Sequence, residues 1–157
     1  MAPTFIMMLG VSGAGKTTLA QFIAPELDAC ILSSESIRKE LCCNNRRTRH
    51  FNQPEVFQLM NERALLCLTK GKSVIYDATN LWSRPRQKLL DELPEGVTKE
   101  CVWLKAPLES AVLNDADSGK HTPRGIIQMQ AMMLQPPTYG EGWDYIKVVS
   151  IQPPVIY

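Results

Sequence analysis

A glycine-rich segment near the start of the chain has the residue types and spacing of a phosphate-binding loop. The segment is GVSGAGKTT, and it follows the apolar run TFIMML directly. The stretch from Gly10 to Thr17 matches the pattern G-x-x-x-x-G-K-[ST], which binds triphosphates where it joins a strand to a helix. Glycines let backbone N–H groups approach phosphate oxygens, and the following helix N-terminus favours negative charge. The segment therefore predicts a phosphate site.

The residue types in this loop also predict the roles of individual side chains. We expect Lys16 to reach the β- and γ-phosphates of a nucleotide, and the Thr17 hydroxyl to hold Mg²⁺. The alternative is a glycine turn followed by a surface lysine, but the strand before it and the helix after it favour nucleotide binding. With ATP as the expected nucleotide, the predicted binding residues are Gly10, Ser12, Gly13, Ala14, Gly15, Lys16, Thr17 and Thr18.

A second pair of reactive residues lies in the segment SSESIRKEL. Glu35 and Arg38 are three residues apart, so they share one face of a predicted helix. This helix follows the second predicted strand, next to the crevice where open α/β sheets bind ligands. A carboxylate there can accept a proton, and an arginine can hold an anion. The alternative is an ordinary surface ion pair.

An aspartate ends the apolar strand in SVIYDATN. We expect Asp77 to face Mg²⁺ through water, as strand-end acids do beside a phosphate loop. The alternative is a structural acid that caps the turn with Thr79 and Asn80. No N-K-x-D guanine motif occurs, and Ala78 stands where a motor ATPase has a catalytic glutamate. A small kinase fits best, because it needs the loop, Mg²⁺, a base and a cationic lid.

Alternating strands and helices must position these residues. A β-α-β-α order predicts a parallel sheet covered by helices on both faces. The apolar side of the first helix is predicted at Leu19, Phe22 and Ile23. The residues Met129, Met132, Met133 and Leu134 are predicted to pack in the core. The predicted strands are Thr4–Leu9, Ala29–Leu32, Ser73–Asp77, Val97–Leu104 and Tyr145–Ile151; the helices are Lys16–Leu27, Ser34–Leu41, Pro54–Lys70, Ser83–Leu93, Pro107–Asn114 and Thr122–Leu134.

The bulk composition is that of one ordinary globular domain. The chain has 157 residues, 45% hydrophobic residues and a formal net charge of +1, so no global field indicates nucleic acid or anionic membrane. The five cysteines form no C-x-x-C pair, which favours reduced thiols over a disulfide framework. We expect no membrane-spanning segment, no signal peptide and a cytoplasmic location.

Four segments in this order resemble the polynucleotide-kinase-like P-loop kinases, predicted kinases with an AAA-type ATP-binding domain. They are GVSGAGKTT, SSESIRKEL, GKSVIYDATNLWSRPR and QPPTYGEGWDYIKVV, and the resemblance covers residues 4 to about 150. It implies one P-loop kinase domain over residues 1–157 that uses ATP and Mg²⁺. The predicted fold is a three-layer α/β/α P-loop NTPase of the kinase type, with a five-stranded parallel sheet in the order 2-3-1-4-5.

The resemblance also implies residue roles. Glu35 stands where the family places an aspartate that accepts the proton of the acceptor hydroxyl, and Arg38 where an arginine helps to hold the acceptor. The family lid, expected near residues 113–124, carries arginines where this chain has Leu113 and Asp117. Lys120 is the expected substitute cation. Arg84 and Arg86 either line the acceptor cleft or are solvated helix residues.

The acceptor that the resemblance favours is a 5′-hydroxyl of a nucleic acid. The segment CCNNRRTRH supports it, because Arg46 and Arg47, with Arg49 and His50, could contact phosphates; the alternative is a solvated loop. A kinase for a small metabolite or nucleoside is the first rival. The second is a nucleotide-binding regulator with little or no turnover, because the lid arginines are missing.

Overall fold

A computed structural model describes residues 2–44 and 53–153 and contains one five-stranded parallel sheet. The strands are β1 (Thr4–Leu9), β2 (Cys30–Ser33), β3 (Val74–Asp77), β4 (Thr98–Lys105) and β5 (Tyr145–Ser150). The helices are α1 (Lys16–Leu27), α2 (Ser34–Asn44), α3 (Gln53–Thr69), α4 (Ser83–Glu92), α5 (Leu108–Asp117) and α6 (Arg124–Met133), with a 3-10 turn at Tyr139–Glu141. The strand order β2-β3-β1-β4-β5 confirms the predicted sheet and fold.

Strand β1 lies at the centre of the sheet because it is apolar on both faces. It pairs with β3 on one side and β4 on the other, and its residues from Phe5 onward are buried. Continuous apolar runs are typical of parallel strands covered on both sides. The register sets Met8 beside Asp77, so the end of β3 lies next to the loop that leaves β1.

The side chains of β1 alternate between two hydrophobic clusters. Phe5 and Met7 belong to the cluster formed with α2, α3 and α4, and Ile6 and Met8 to the cluster formed with α1, α5 and α6. Because successive strand residues point to opposite faces, these clusters are the two helical layers on the sheet. The layers hold the carboxyl ends of the strands at one edge, where the phosphate loop begins.

Two predicted apolar surfaces are exposed in part. Phe22 is 74% exposed and Met132 is 80% exposed, and Met129 and Met133 are exposed as well. The remaining predicted residues, Leu19, Ile23 and Leu134, are partly buried and pack against the core, and α1 also packs through Ala20 and Ala24, whose small side chains allow close approach to the sheet. Apolar spacing therefore identified the helices correctly, but only part of the face that each one buries.

Helix α5 extends three residues beyond its predicted end, to Asp117. Asp115, predicted in a polar loop, is buried inside the helix. Its carboxylate accepts hydrogen bonds from the backbone N–H of Thr122 at 2.6 Å and from the Thr122 hydroxyl at 3.0 Å. This pairing stabilises both the last turn of α5 and the return of the chain towards α6, so the intervening loop is shorter than expected.

An arginine–glutamate pair is buried between α4 and the 3-10 turn. The guanidinium of Arg86 donates to both carboxylate oxygens of Glu141, at 2.7 and 3.2 Å, and to the carbonyl oxygens of Asn80 and Gln135 at 2.8 Å. Glu141 also accepts the backbone N–H of Thr138 at 2.7 Å. Arg86 is therefore not a solvated helix residue, since it is 1% exposed, and its donors are bound to other groups of the protein.

No helix in the described part of the chain is both long and apolar enough to cross a membrane.

Candidate active site

The phosphate loop has the backbone conformation that its glycines predict. Gly13 and Gly15 adopt φ angles of +81° and +98°, a region that favours glycine. A Cβ on Gly13 would lie 1.9 Å from the carbonyl oxygen of Ala111, so α5 leaves no room for any side chain there. The Asn114 amide also donates to the Gly13 carbonyl at 3.2 Å. Loop and α5 are therefore held in direct contact.

One predicted phosphate donor is already occupied. The backbone N–H of Ser12 donates to Oε1 of Gln130 at 2.9 Å, from helix α6. A phosphate oxygen that took this N–H would have to displace the Gln130 amide. Nothing in the local sequence marks Gln130, because its partner is 118 residues away.

Lys16 is buried at the start of α1, and its ammonium donates to the Val11 carbonyl at 2.7 Å. Burial lowers the pKa of Lys16 to about 8; the negative charges of Asp77 and Asp115 oppose this, and the positive charge of Lys120 adds to it. A phosphate bound beside Lys16 raises its pKa again, because negative charge favours the protonated ammonium.

We expect nucleotide binding to take up a proton on Lys16 near pH 8. As the pH rises above 8, a growing fraction of Lys16 is neutral, and bound phosphate raises its pKa again, so affinity should fall with rising pH. Calorimetric titration with a non-hydrolysable ATP analogue, in buffers of different ionisation heat, measures this proton at about pH 8.5, where phosphate groups are already ionised. Binding without proton uptake at that pH contradicts the assignment.

The predicted metal-binding pair is assembled. The Thr17 hydroxyl donates to Oδ2 of Asp77 at 2.7 Å, and Asp77 is buried at the end of β3. Hydroxyl and carboxylate oxygens are the hard ligands that Mg²⁺ prefers, and Mg²⁺ keeps several waters and phosphate oxygens as its other ligands. The pair therefore fits Mg²⁺ bound together with a nucleotide. The described residues contain no cluster of three or more acidic, histidine or cysteine ligands.

The structure joins the two residues that were predicted separately as base and lid cation. Lys120 forms an ion pair with Glu35 at 2.7 Å, and Lys39 approaches the other carboxylate oxygen at 3.4 Å. Partial burial acts to raise the pKa of Glu35, but the hydrogen bonds and charges of Lys120 and Lys39 outweigh it and leave the pKa below its ordinary value. Glu35 is therefore ionised at neutral pH, the state that a proton acceptor requires.

A cavity of about 1840 Å³ contains these groups. It is lined by the phosphate loop, Asp77, Glu35, Arg38 and Lys120, and it extends between α3 and α4. A typical small-molecule pocket has roughly 300–1,000 Å³, so this cavity has room for a nucleotide and a second substrate.

The other cations singled out in the sequence are not placed in the site. Arg84 is exposed on the surface of α4. Of the remaining predicted cations, Arg46, Arg47, Arg49 and His50 lie outside the described residues.

Comparison with known proteins gives consistent matches. Residues 5–131 match the protein family designated AAA_33, described as an AAA domain. A sugar kinase from Janibacter sp. HTCC2649 superposes with a TM-score of 0.72 at 19% identity, covering 97% of this chain and 87% of that chain. The APS kinase CysC of Mycobacterium tuberculosis, solved with AMPPNP and APS, gives 0.67 at 18% identity, with coverage of 94% and 88%.

A chain of the Pnkp1/Rnl/Hen1 RNA repair complex superposes with a TM-score of 0.70 at 20% identity, covering 85% of this chain and 44% of that chain. A Mycoplasma pneumoniae protein provisionally named as an ABC transporter ATP-binding protein is 28% identical over 113 residues, or 69% of this chain. This chain spans about a quarter of that relative, 24% of its length.

Proposed function

The chain belongs to the AAA domain family designated AAA_33, and on that premise we propose that it transfers the γ-phosphoryl group of ATP to a hydroxyl group. Its fold is that of the P-loop kinases, as the resemblance predicted. One observation carries the proposal. An ionised carboxylate, Glu35, lines the same cavity as the phosphate loop and the Thr17–Asp77 pair, so that a base, a phosphate site and metal ligands share one space.

The proposed reaction follows from these positions. The acceptor oxygen forms a bond to the γ-phosphorus, the bond from that phosphorus to the β–γ bridging oxygen breaks, and ADP leaves. Glu35 takes the proton of the hydroxyl, while Lys16 and the loop N–H groups hold the phosphates. Thr17 and Asp77 would hold Mg²⁺, which supplies charge neutralisation on the β- and γ-phosphates. Lys120 would leave Glu35 and approach the transferring group.

We propose a nucleic acid 5′-hydroxyl as the acceptor. The four resembling segments support it, as does the superposition on the Pnkp1/Rnl/Hen1 chain. Superposition on a sugar kinase and on a gluconokinase of Sinorhizobium meliloti favours the rival, a small hydroxyl compound. The absence of arginine at Leu113 and Asp117 favours the third candidate, a nucleotide-binding regulator.

We further propose that residues 1–157 act as one kinase domain in the cytoplasm, with residues 113–124 as its lid. Among the described residues, Cys30, Cys42, Cys67 and Cys101 are free thiols, which supports a reducing compartment.

Labelled ATP separates the three candidates. The protein is incubated with γ-labelled ATP, Mg²⁺ and, in turn, DNA and RNA oligonucleotides with 5′-hydroxyl ends, the same oligonucleotides with 5′-phosphate ends, nucleosides and gluconate. Label on the 5′-hydroxyl oligonucleotides alone supports the proposed acceptor. Label only on a small compound supports the rival. ATP binding and thermal stabilisation without any transfer support a regulator.

Replacing Lys120 with alanine is expected to slow single-turnover transfer by about 10³-fold or more, the range found when a lid cation is removed. Its ion pair is half exposed and contributes at most about 1 kcal/mol, so stability should hardly change. Lys39→Ala is the matched control, because Lys39 contacts the same carboxylate from within α2. Equal rates for both variants would remove Lys120 from the mechanism.

A further inference from the structure

One side of the cavity, between α3 and α4, is built from aromatic and apolar side chains. We call this surface the aromatic wall. It lies on the sheet face that α2, α3 and α4 cover, whereas α1 extends from the phosphate loop over the opposite face. The wall opens into the same cavity as Glu35. Its residues are Pro54, Phe57, Tyr76, Trp82, Pro85 and Leu89.

Two aromatic residues of the wall, Trp82 and Phe57, are accessible. Trp82 is 48% exposed, and Phe57 is half-buried where it packs against the core cluster that contains Tyr76 and Leu89. Tryptophan is highly buried on average, so a half-exposed indole in a cavity is an apolar surface offered to a ligand. Flat aromatic surfaces bind other planar rings by stacking.

Asn61, which lines the cavity beside the aromatic wall, has hydrogen-bond donors to spare, and its orientation is fixed. The Tyr76 hydroxyl donates to Oδ1 of Asn61 at 2.5 Å, and burial raises the pKa of Tyr76, so the hydroxyl keeps its proton. With Oδ1 engaged, Asn61 presents its amide N–H groups, which donate to no partner within residues 2–44 and 53–153. Asn61 also lines the cavity. It therefore offers donors to an acceptor atom of a ligand.

The charge distribution separates two kinds of acceptor. Neither Asn61 nor any residue of the aromatic wall is charged. The charged residues of the cavity lie on α2 and around the phosphate loop, apart from Arg86, which is bound to Glu141. A polyol or sugar acid would need several hydrogen-bonding partners along its length. A planar ring needs apolar faces and few polar contacts at its edge. The aromatic wall therefore suits a planar ring better than a polyol or a sugar acid.

We infer that the acceptor hydroxyl belongs to a compound with a planar aromatic ring, of the nucleoside class, which lies against Phe57 and Trp82 and accepts a hydrogen bond from Asn61. This inference rests on the proposed phosphoryl transfer. The ring occupies the wall, and the hydroxyl reaches towards Glu35. A free nucleoside and the terminal nucleoside of a nucleic acid share this chemistry.

Ring binding is measured without turnover. The full chain is saturated with AMPPNP and Mg²⁺, which fills the nucleotide site, and tryptophan fluorescence is followed during titration with nucleosides, a 5′-hydroxyl oligonucleotide and gluconate. We expect the ring compounds to quench fluorescence and gluconate to leave it unchanged. Stacking of one base on an aromatic side chain corresponds to roughly 10- to 100-fold in affinity. Phe57→Leu and Trp82→Leu should weaken binding by about that factor; for Trp82→Leu, calorimetry replaces fluorescence.

Tyr145→Leu is the matched control, because Tyr145 is an exposed aromatic residue on β5 outside the cavity. Oligonucleotide binding much tighter than nucleoside binding identifies a nucleic acid end; equal affinities identify a nucleoside. The inference is overturned if ring compounds do not bind, or if Phe57→Leu and Trp82→Leu bind them as Tyr145→Leu does. Transfer of label to gluconate alone would contradict this inference but not the proposed kinase activity. Failure to bind AMPPNP would contradict the proposed kinase activity itself.

Discussion

Replacing Arg86 with methionine is expected to lower the free energy of unfolding by about 3–5 kcal/mol, the cost of removing one partner of a buried ion pair. The change leaves Glu141 charged and buried, and it also removes donors from the carbonyl oxygens of Asn80 and Gln135. Methionine fills much of the same volume, so the loss comes from charge and hydrogen bonds rather than from a cavity. Urea denaturation followed by circular dichroism measures it.

The matched control is Arg84→Met, two residues earlier on the same helix and exposed, for which we expect a change within about 0.5 kcal/mol. The double variant Arg86→Met, Glu141→Gln removes the stranded charge and should recover part of the loss. It also provides a measurement if the single variant does not fold. A loss of less than about 1 kcal/mol in Arg86→Met would show that the pair does not stabilise the fold as described.

Replacing Glu35 with glutamine is expected to slow phosphoryl transfer by about 10²- to 10⁴-fold while leaving ATP affinity unchanged. Glutamine has the shape of glutamate but cannot take the proton of the acceptor hydroxyl. It also loses the charge that pairs with Lys120 and Lys39, which frees both lysines rather than removing a phosphate contact. Single-turnover transfer and equilibrium binding of an ATP analogue separate the two effects.

Glu40→Gln provides the control, since Glu40 lies on the same helix and pairs with Arg63 on the exposed surface. That variant should transfer phosphate at the unaltered rate. If Glu35→Gln is as active as Glu40→Gln, then Glu35 is not the base. If it binds ATP weakly, the substitution has disturbed the phosphate loop, and the rate no longer reports on proton transfer.

The fold could be predicted from the sequence because its signals are local. The apolar run of β1, the phosphate loop and the strand end at Asp77 each lie within a few neighbouring residues, and five such strands in alternation with helices leave few topologies. The order and parallel pairing of the strands are confirmed. The pairing of Thr17 with Asp77 follows from that order, because β1 and β3 are neighbours.

What the sequence could not reveal depends on contacts between distant segments. Arg86 sits in a polar helix, and its partner Glu141 is 55 residues away. Gln130 and Asp115 acquire their roles only once α5 and α6 pack beside the phosphate loop. The exposure of Phe22 on α1 and of Met129, Met132 and Met133 on α6 has the same cause, because apolar spacing does not fix how far a buried face extends around a helix.

The contact between Gly13 and α5 decides what can move during turnover. Because Gly13 abuts Ala111 and accepts the Asn114 amide, α5 is anchored to the phosphate loop, and because Asp115 holds Thr122, the chain is anchored again seven residues later. The backbone N–H groups of Gly119 and Lys120 also donate to the carbonyl oxygens of Ala116 and Asp115, at 3.0 and 3.2 Å, so the group left to move is the partly exposed side chain of Lys120. Rotamer changes of exposed side chains take picoseconds to nanoseconds rather than milliseconds. Relaxation-dispersion NMR should find no millisecond exchange at Gly119, so that opening of the site does not limit turnover.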